Sequence, residues 1–426
     1  MTDTIQAENI YKKVTLRLIP FLFICYLAAY LDRVNVGFAK LQMLSDLKFS
    51  ETVYGLGAGI FFIGYFIFEV PSNILLEKIG PRVWIARIMI TWGVLSSCMM
   101  FVSSETSYYV LRFLLGIAEA GFFPGIILYL TYWYPQARRG RITALFMTAI
   151  AFSGVVGGPL SGWIMASFAG LYGIAGWQWL FLLEGLPSIV LGVAVIIYLD
   201  DSVAKAKWLT DEEKSYLQTQ LDADAETKVH LPIAKIFTDV RVWLFSGIYF
   251  FMVMGLYGIG FWLPNLIKAA GVTDVLNNGL LSAIPYFVAA VAMVLVGRNS
   301  DRTGERHWHL IVFSLVGAVG FWLSTLNPTN ITFSLIGITI ACVGVLSSIA
   351  LSWSLPTAYL TGTAAAAGIA MVNSIGNLSG FVSPFIVGWI KDVTGSLTGG
   401  LYFLAASIAC SAVLVALTKG LKPVQQ

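Results

Sequence analysis

Charge is what this sequence has least of. Charged residues are 12% of the chain and the mean hydropathy is +0.79, which excludes a water-soluble domain of this length. Histidine is nearly absent as well. His230, His307 and His309 all fall in polar segments, so no histidine-centred catalytic or metal-binding set can form within the apolar blocks. Cysteine is just as sparse. Cys25, Cys98, Cys342 and Cys410 each stand alone in a different apolar block, which builds neither a disulfide framework nor a metal-ligand spacing, and they read as packing residues. There is no GxxxxGK[ST] phosphate loop, which argues against a self-contained ATP-driven pump. A small-residue cleavage site is missing after the first apolar stretch, which carries Asp32 and Arg33 near its end, so that stretch reads as a retained helix rather than a signal peptide. With no catalytic constellation and no signalling domain, an enzyme or a receptor is disfavoured. No cofactor, metal or nucleic acid is expected.

What is present is a series of apolar blocks, each about 20 residues long, the length a helix needs to cross about 30 Å of hydrocarbon. The hydropathy pattern predicts twelve helices, over 18–38, 54–75, 83–103, 106–130, 142–165, 179–199, 242–263, 279–296, 310–326, 331–353, 364–390 and 401–417. The expected fold class is all-α integral membrane, with two six-helix halves around a central cavity. Residues 1–200 form the first half, 201–241 a polar cytoplasmic linker with a helix-like KWLTDEEKSYLQTQL, and 242–426 the second half. Basic residues set the orientation. Lys12, Lys13, Arg17, Lys78, Arg82, Arg138, Arg139, Arg141, Arg298, Arg302, Arg306, Lys419 and Lys422 collect on one side, while the other has only Lys40, Lys48, Lys268 and Lys391. The positive-inside rule then puts both termini in the cytoplasm.

A short repeat supports the division. EKIGPR (Glu77, Lys78, Gly80, Arg82) and DRTGER (Asp301, Arg302, Gly304, Arg306) occupy the second inner loop of each half. Glycine permits a tight turn there, and the charges can pair across the inner ends of neighbouring helices.

Ionisable residues inside a span are expensive and are functional candidates by default. Asp32 and Arg33 lie near the outer end of the first helix and Arg112 near the outer end of the fourth, so all three could meet at one depth. Glu119 follows Arg112 by two helical turns, which predicts one polar seam. Arginine keeps its proton and its planar fork suits a carboxylate, which makes Arg33 and Arg112 candidate anion clamps. Asp32 and Glu119 are the candidate proton carriers, because an anion competing for the arginine favours the protonated acid. The alternative is that these charges form structural ion pairs. Glu69 and Glu184 read as helix-end or gate residues. Trp353, Ser354, Asn373 and Asn377 could orient a hydroxyl-bearing substrate, or bond helices together, and Tyr30 and Tyr65 are further candidates for lining the cavity.

With EKIGPR and DRTGER the chain resembles the major facilitator superfamily over essentially its whole length, although Asn73 stands where that family usually has Gly. LDRVNVGFA, LRFLLGIAEAGFFPG, WYPQARRGR and GWQWLFLLEGLPS resemble its anion:cation symporter family, in particular the bacterial tartrate, sugar-acid and hydroxyphenylacetate branch. The resemblance implies that the matching acids, Asp32 and Glu119, are proton sites and that Arg33 and Arg112 bind the substrate carboxylate. It implies a bacterial inner-membrane symporter of small organic anions and protons, working as a single chain in the lipid bilayer, with an anion uniporter or exchanger as the alternative. Ile150 stands where some sugar-acid carriers place an amide, which leaves tartrate-like and aromatic acids open.

Overall fold

The computed structural model describes residues 2–226, 238–359 and 362–418, which are almost wholly helical and contain no β-strand. His230, Lys419 and Lys422 lie outside the described residues. The first six spans are built from α1 (Thr2–Val34) with α2 (Val36–Leu47), α3 (Glu51–Ile79), α4 (Pro81–Cys98), α5 (Glu105–Glu119) with α6 (Phe122–Thr131), α7 (Gln136–Ser167) and α8 (Gly176–Tyr198). A polar helix, α9 (Asp211–Glu226), covers most of the helix-like linker sequence. The last six spans are α10 (Val240–Ala269), α11 (Val275–Thr303), α12 (His307–Leu323), α13 (Ile331–Ser352) with α14 (Ser354–Tyr359), α15 (Gly362–Thr394) and α16 (Thr398–Leu417). Among the described residues eleven stretches are long and apolar enough to cross a membrane, and the 17-residue α12 is the shorter twelfth.

Local chemistry sets several ends. Ser50 accepts from the N–H of Val53, Ser104 and Ser107 form a capping box, and Asp274 accepts from the N–H of Asn277. Gly80 at φ 103° and Gly304 at φ 68° make the turns of the two repeated hexapeptides, a backbone region that disfavours other residues. In the first hexapeptide Arg82 donates its backbone N–H to Asp201 (3.1 Å) and its guanidinium to the Ile196 carbonyl (2.5 Å), tying α4 to the end of α8. Glu77 and Lys78 are exposed. The second hexapeptide pairs within itself, Arg306 on Asp301 and on Ser300, while Arg302 is exposed. Glu305 caps α12. Burial works against its charge, but the N–H groups of Trp308 and His309 hold the carboxyl below the usual range.

Small residues let the first and last six spans pack closely. A Cβ on Gly158 of α7 would sit 2.6 Å from the Gly279 carbonyl oxygen of α11, and one on Gly55 of α3 would sit 2.3 Å from that of Pro384 on α15. With outer and inner taken from the loop charges, the outer end of this interface is closed by polar contacts. Glu51 takes Lys40 (2.5 Å) from its own set of spans and Lys391 from the other. Asp392 accepts the N–H groups of Glu51 (3.1 Å) and Thr52 (2.7 Å), a negative charge at the N-terminus of α3. Tyr54 donates to the Phe261 carbonyl (2.9 Å), and Lys268 to that of Leu41 (3.0 Å). Lys40 is therefore not a solvated loop residue. It is 2% exposed and lies 3.4 Å from the centre of the Trp262 ring.

If this closure is electrostatic, Lys391→Ala weakens it. On a background whose native cysteines are replaced by serine, a cysteine at Phe261, a fully buried position, should react several-fold faster with a membrane-impermeant maleimide when Lys391→Ala is added.

Candidate functional site

One broken helix and one long helix position the site. The first span runs on from α1 into α2 through Asn35, which keeps φ −57° and ψ −27°, donates its N–H to the Leu31 carbonyl (2.9 Å) and accepts from the N–H of Ala39 (2.9 Å), just after Asp32 and Arg33. The fourth span breaks between α5 and α6, where Ala120 turns to ψ 130° and Gly121 takes φ 85°. A Cβ on Gly121 would lie 2.4 Å from the Ser72 hydroxyl, so the break also needs glycine for space. Glu119 is the last helical residue before it. Irregular backbone at such depth is tolerated where protein covers it or a cavity adjoins it, and broken helices in transporters gather around binding sites.

Arg33 and Glu119 meet beside this break. The guanidinium Nε donates to Glu119 Oε1 at 3.0 Å and Nη2 donates to the same oxygen. Its Nη1 donates to the hydroxyl of Tyr257 on α10 (3.2 Å), which donates onward to Asn377 Oδ1 on α15 (3.2 Å). The chain Glu119, Arg33, Tyr257, Asn377 thus crosses from the first six spans to the last six. Glu119 Oε2 is buried without a partner. Phe61 and Tyr65 lie beside the guanidinium, with ring centres 5.6 and 5.4 Å away. A second crossing uses Glu69, which accepts from Asn373 (3.1 Å) and Ser374 (2.9 Å).

Two expectations of proximity are corrected. Asp32 does not share a site with Arg33. It is 1% exposed and accepts from Trp92 Nε1 (2.7 Å), Ser96 Oγ (2.7 Å) and Ser188 Oγ (2.6 Å). Neighbours on a helix point about 100° apart, so adjacent Asp32 and Arg33 must look at different spans. Nor does Arg112 bond Glu119, although it is near enough to feel the charges of Glu119 and Arg33. It is fully buried and donates to the carbonyls of Gly57 (3.2 Å) and Ala58 (3.1 Å), with the Phe61 ring centre at 5.0 Å, while its Nη1 has no partner.

The remaining candidates are dispersed. Tyr30 is buried with an unpartnered hydroxyl and lines a small cavity between α1, α7, α10 and α11. Trp353 packs on Tyr249 with ring centres 4.7 Å apart, beside a second small cavity, and the Ser354 hydroxyl returns to the Leu351 carbonyl (2.6 Å). Tyr257, Trp92, Ser96 and Ser188 were not singled out from sequence. Trp92 and Ser96, four apart and so on one face of α4, carried a usable signal. Tyr257 carried none.

Residues 22–384 match the Major Facilitator Superfamily. The chain belongs to that superfamily. It is 51% identical over 97% of its length to a protein named for tartrate transport in Agrobacterium vitis, covering 92% of that protein. It is 49% identical over 96% to the metabolite transport protein named NicT of Pseudomonas putida, covering 94%. Both relatives are consistent with the anion:cation symporter branch. The fold matches a crystal structure of a bacterial homologue of the human lysosomal transporter Spinster, inward-facing and unoccupied, at 17% identity and a TM-score of 0.72, over 95% of each chain. This member of the superfamily is accordingly an integral membrane transporter and not an enzyme.

Removing one partner of a buried ion pair strands the other charge. Arg33→Met and Glu119→Ala should each cost about 3–5 kcal/mol of stability, and the double variant less than their sum. Thermal unfolding in detergent, read as a double-mutant cycle, checks this.

Proposed function

We propose that the protein imports small organic carboxylates together with protons, by alternating access of two halves, 1–200 and 242–426, joined through 201–241. The observation that carries the reading is the buried Arg33 and Glu119 pair, set beside the break in the fourth span and bonded through Tyr257 to the last six spans. A substrate carboxylate is a better bidentate partner for the guanidinium than a single Glu119 oxygen. When it takes Arg33, the Glu119 carboxylate is left buried without its cation, and a proton removes the charge. Anion and proton therefore load together and leave together. Displacing Glu119 also loosens the Tyr257 and Asn377 bridge, which gives the substrate differential contacts in the two conformations, as a conformational shift requires.

Asp32 serves as a second proton site in this scheme, in a cradle of three neutral donors. Arg112 serves as a second guanidinium for the anion once opening frees it from the Gly57 and Ala58 carbonyls. Asn373 and Asn377 offer neutral groups to substrate hydroxyls, and Tyr30, Tyr65, Trp353 and Ser354 line the path. The relative named for tartrate transport supports a small hydroxy acid as substrate. A bacterial inner membrane with both termini cytoplasmic, and one chain per transport unit, complete the proposal. Exchange without proton coupling is the second reading, because the Arg33 and Glu119 pair is complete with no proton on it.

Reconstituted into liposomes, the wild type should acidify the interior when tartrate or another small carboxylate is added. Glu119→Gln and Arg112→Ala should both abolish the acidification. Carboxylate uptake without acidification in the wild type would instead establish a uniporter or exchanger.

A further inference from the structure

Glu184 is a buried carboxylate outside the proposed coupling. Glu69 is buried too, but both its oxygens have donors. Glu184 on α8 is 4% exposed, accepts from the Ser161 hydroxyl (2.7 Å) and has the Asn35 side chain beside it, with no close hydrogen bond to Oε2 and no ion pair among the described residues. It lies inside α8 (Gly176–Tyr198), more than two turns from its start, and so does not close a helix end. A carboxylate with that surrounding is held far more easily with a proton than without one.

Its neighbours connect it in two directions. One turn along α8, Ser188 donates to Asp32. Residues four apart on a helix share a face about 6 Å apart, a distance one ordered water bridges. In the other direction, Ser161 lines the small cavity with Tyr30, Asn35, Ser153, Ser282 and Tyr286. The Tyr30 hydroxyl is buried there without a partner and the Asn35 amide without a close one beyond its approach to Glu184, and clustered under-satisfied polar groups of this kind are where ordered water binds. The cavity walls come from both sets of spans, so separation of the outer interface would open it to the outer face.

The charged and titratable groups around Glu184 and this cavity are few. Asp32 and Tyr30 come from α1 and Tyr286 from α11. From α4 come only the hydroxyls of Ser96 and Ser97, and from α2 Asp46, bound to Trp177 further out along α8. No cation competes for the carboxyl.

We propose that Glu184 is a proton-loading site between the outer face and Asp32. A proton from water in the cavity settles on the Glu184 carboxyl. Ser188 then gives its hydroxyl proton to Asp32 and regains one from Glu184 across the bridging water, leaving Glu184 ionised and Asp32 neutral. The inference rests on the proton-symport reading and adds a residue to it.

The test uses the full chain in liposomes with tartrate as probe. In Glu184→Gln, proton-driven tartrate uptake should fall roughly tenfold or more, while tartrate exchange at equal pH on both sides, which needs no net proton transfer, stays near the wild-type rate. Ser161→Ala removes the hydroxyl that donates to the carboxylate form and should move the pH midpoint of uptake toward alkaline pH by about half a unit. If the wild type acidifies the liposomes and Glu184→Gln does so at the wild-type rate and pH profile, the loading role is overturned and the symport reading stands. If Glu184→Gln loses exchange as well, the Ser161→Ala profile decides, and an unshifted midpoint overturns the proposal. If the wild type takes up tartrate without acidification, the symport reading falls and this inference with it.

Discussion

The structure turns on a guanidinium that cannot lose its charge and cannot reach water. Arg33 is 6% exposed in the middle of an apolar bundle, so its charge must be matched by another group wherever the protein goes in its cycle. In this conformation the match is Glu119, and the spare donor reaches Tyr257 across the interface between the two sets of spans. A group with that obligation is a natural binding site for an anion, because the anion can do what Glu119 does. It is also a natural coupling device, because the displaced acid then has to be neutralised.

The fourth span is broken just after Glu119, at Ala120 and Gly121. α5 runs unbroken from Arg112 to Glu119, so the two side chains leave one face two turns apart, and each meets a different neighbour: the Glu119 carboxyl takes Arg33, while Arg112 turns to the carbonyls of α3. The outer end is closed by a different kind of contact, with Glu51 shared by lysines from both sets of spans and Asp392 on the N-terminus of α3. That region is partly wet, with Lys391 at 23% side-chain exposure, so it is easier to separate than the dry pair at the centre.

Most of the architecture was legible because spanning a bilayer leaves few solutions for the backbone. Twelve apolar blocks, a loop hexapeptide used twice and the polar segment before Val240 identified the helices and their order. The short, broken spans were less visible. Gly121 and Pro124 do follow Glu119 closely, but an apolar block with glycine and proline in it reads as one span whether or not its backbone breaks. Asp32, Arg33, Arg112 and Glu119 were singled out, but their partners were not, and Arg87 of α4 was passed over. Depth along a helix can be counted from sequence, and on that basis Asp32, Arg33 and Arg112 looked like one cluster. Direction around the axis, and the spare acceptors that Gly57 and Ala58 offer to Arg112, depend on which helices pack together. Lys40 was misplaced in a loop for the same reason, since its burial comes from Trp262 of a distant span.

The most direct measurement of the central claim is proton uptake on binding alone, with purified protein in weakly buffered detergent solution and tartrate added at constant temperature. Wild type should take up close to one proton for each Arg33 site filled, and Glu119→Gln should bind tartrate with little or no proton uptake. Equal proton uptake in the two proteins, or binding by the wild type with none, would contradict the claim that the anion displaces Glu119 from Arg33.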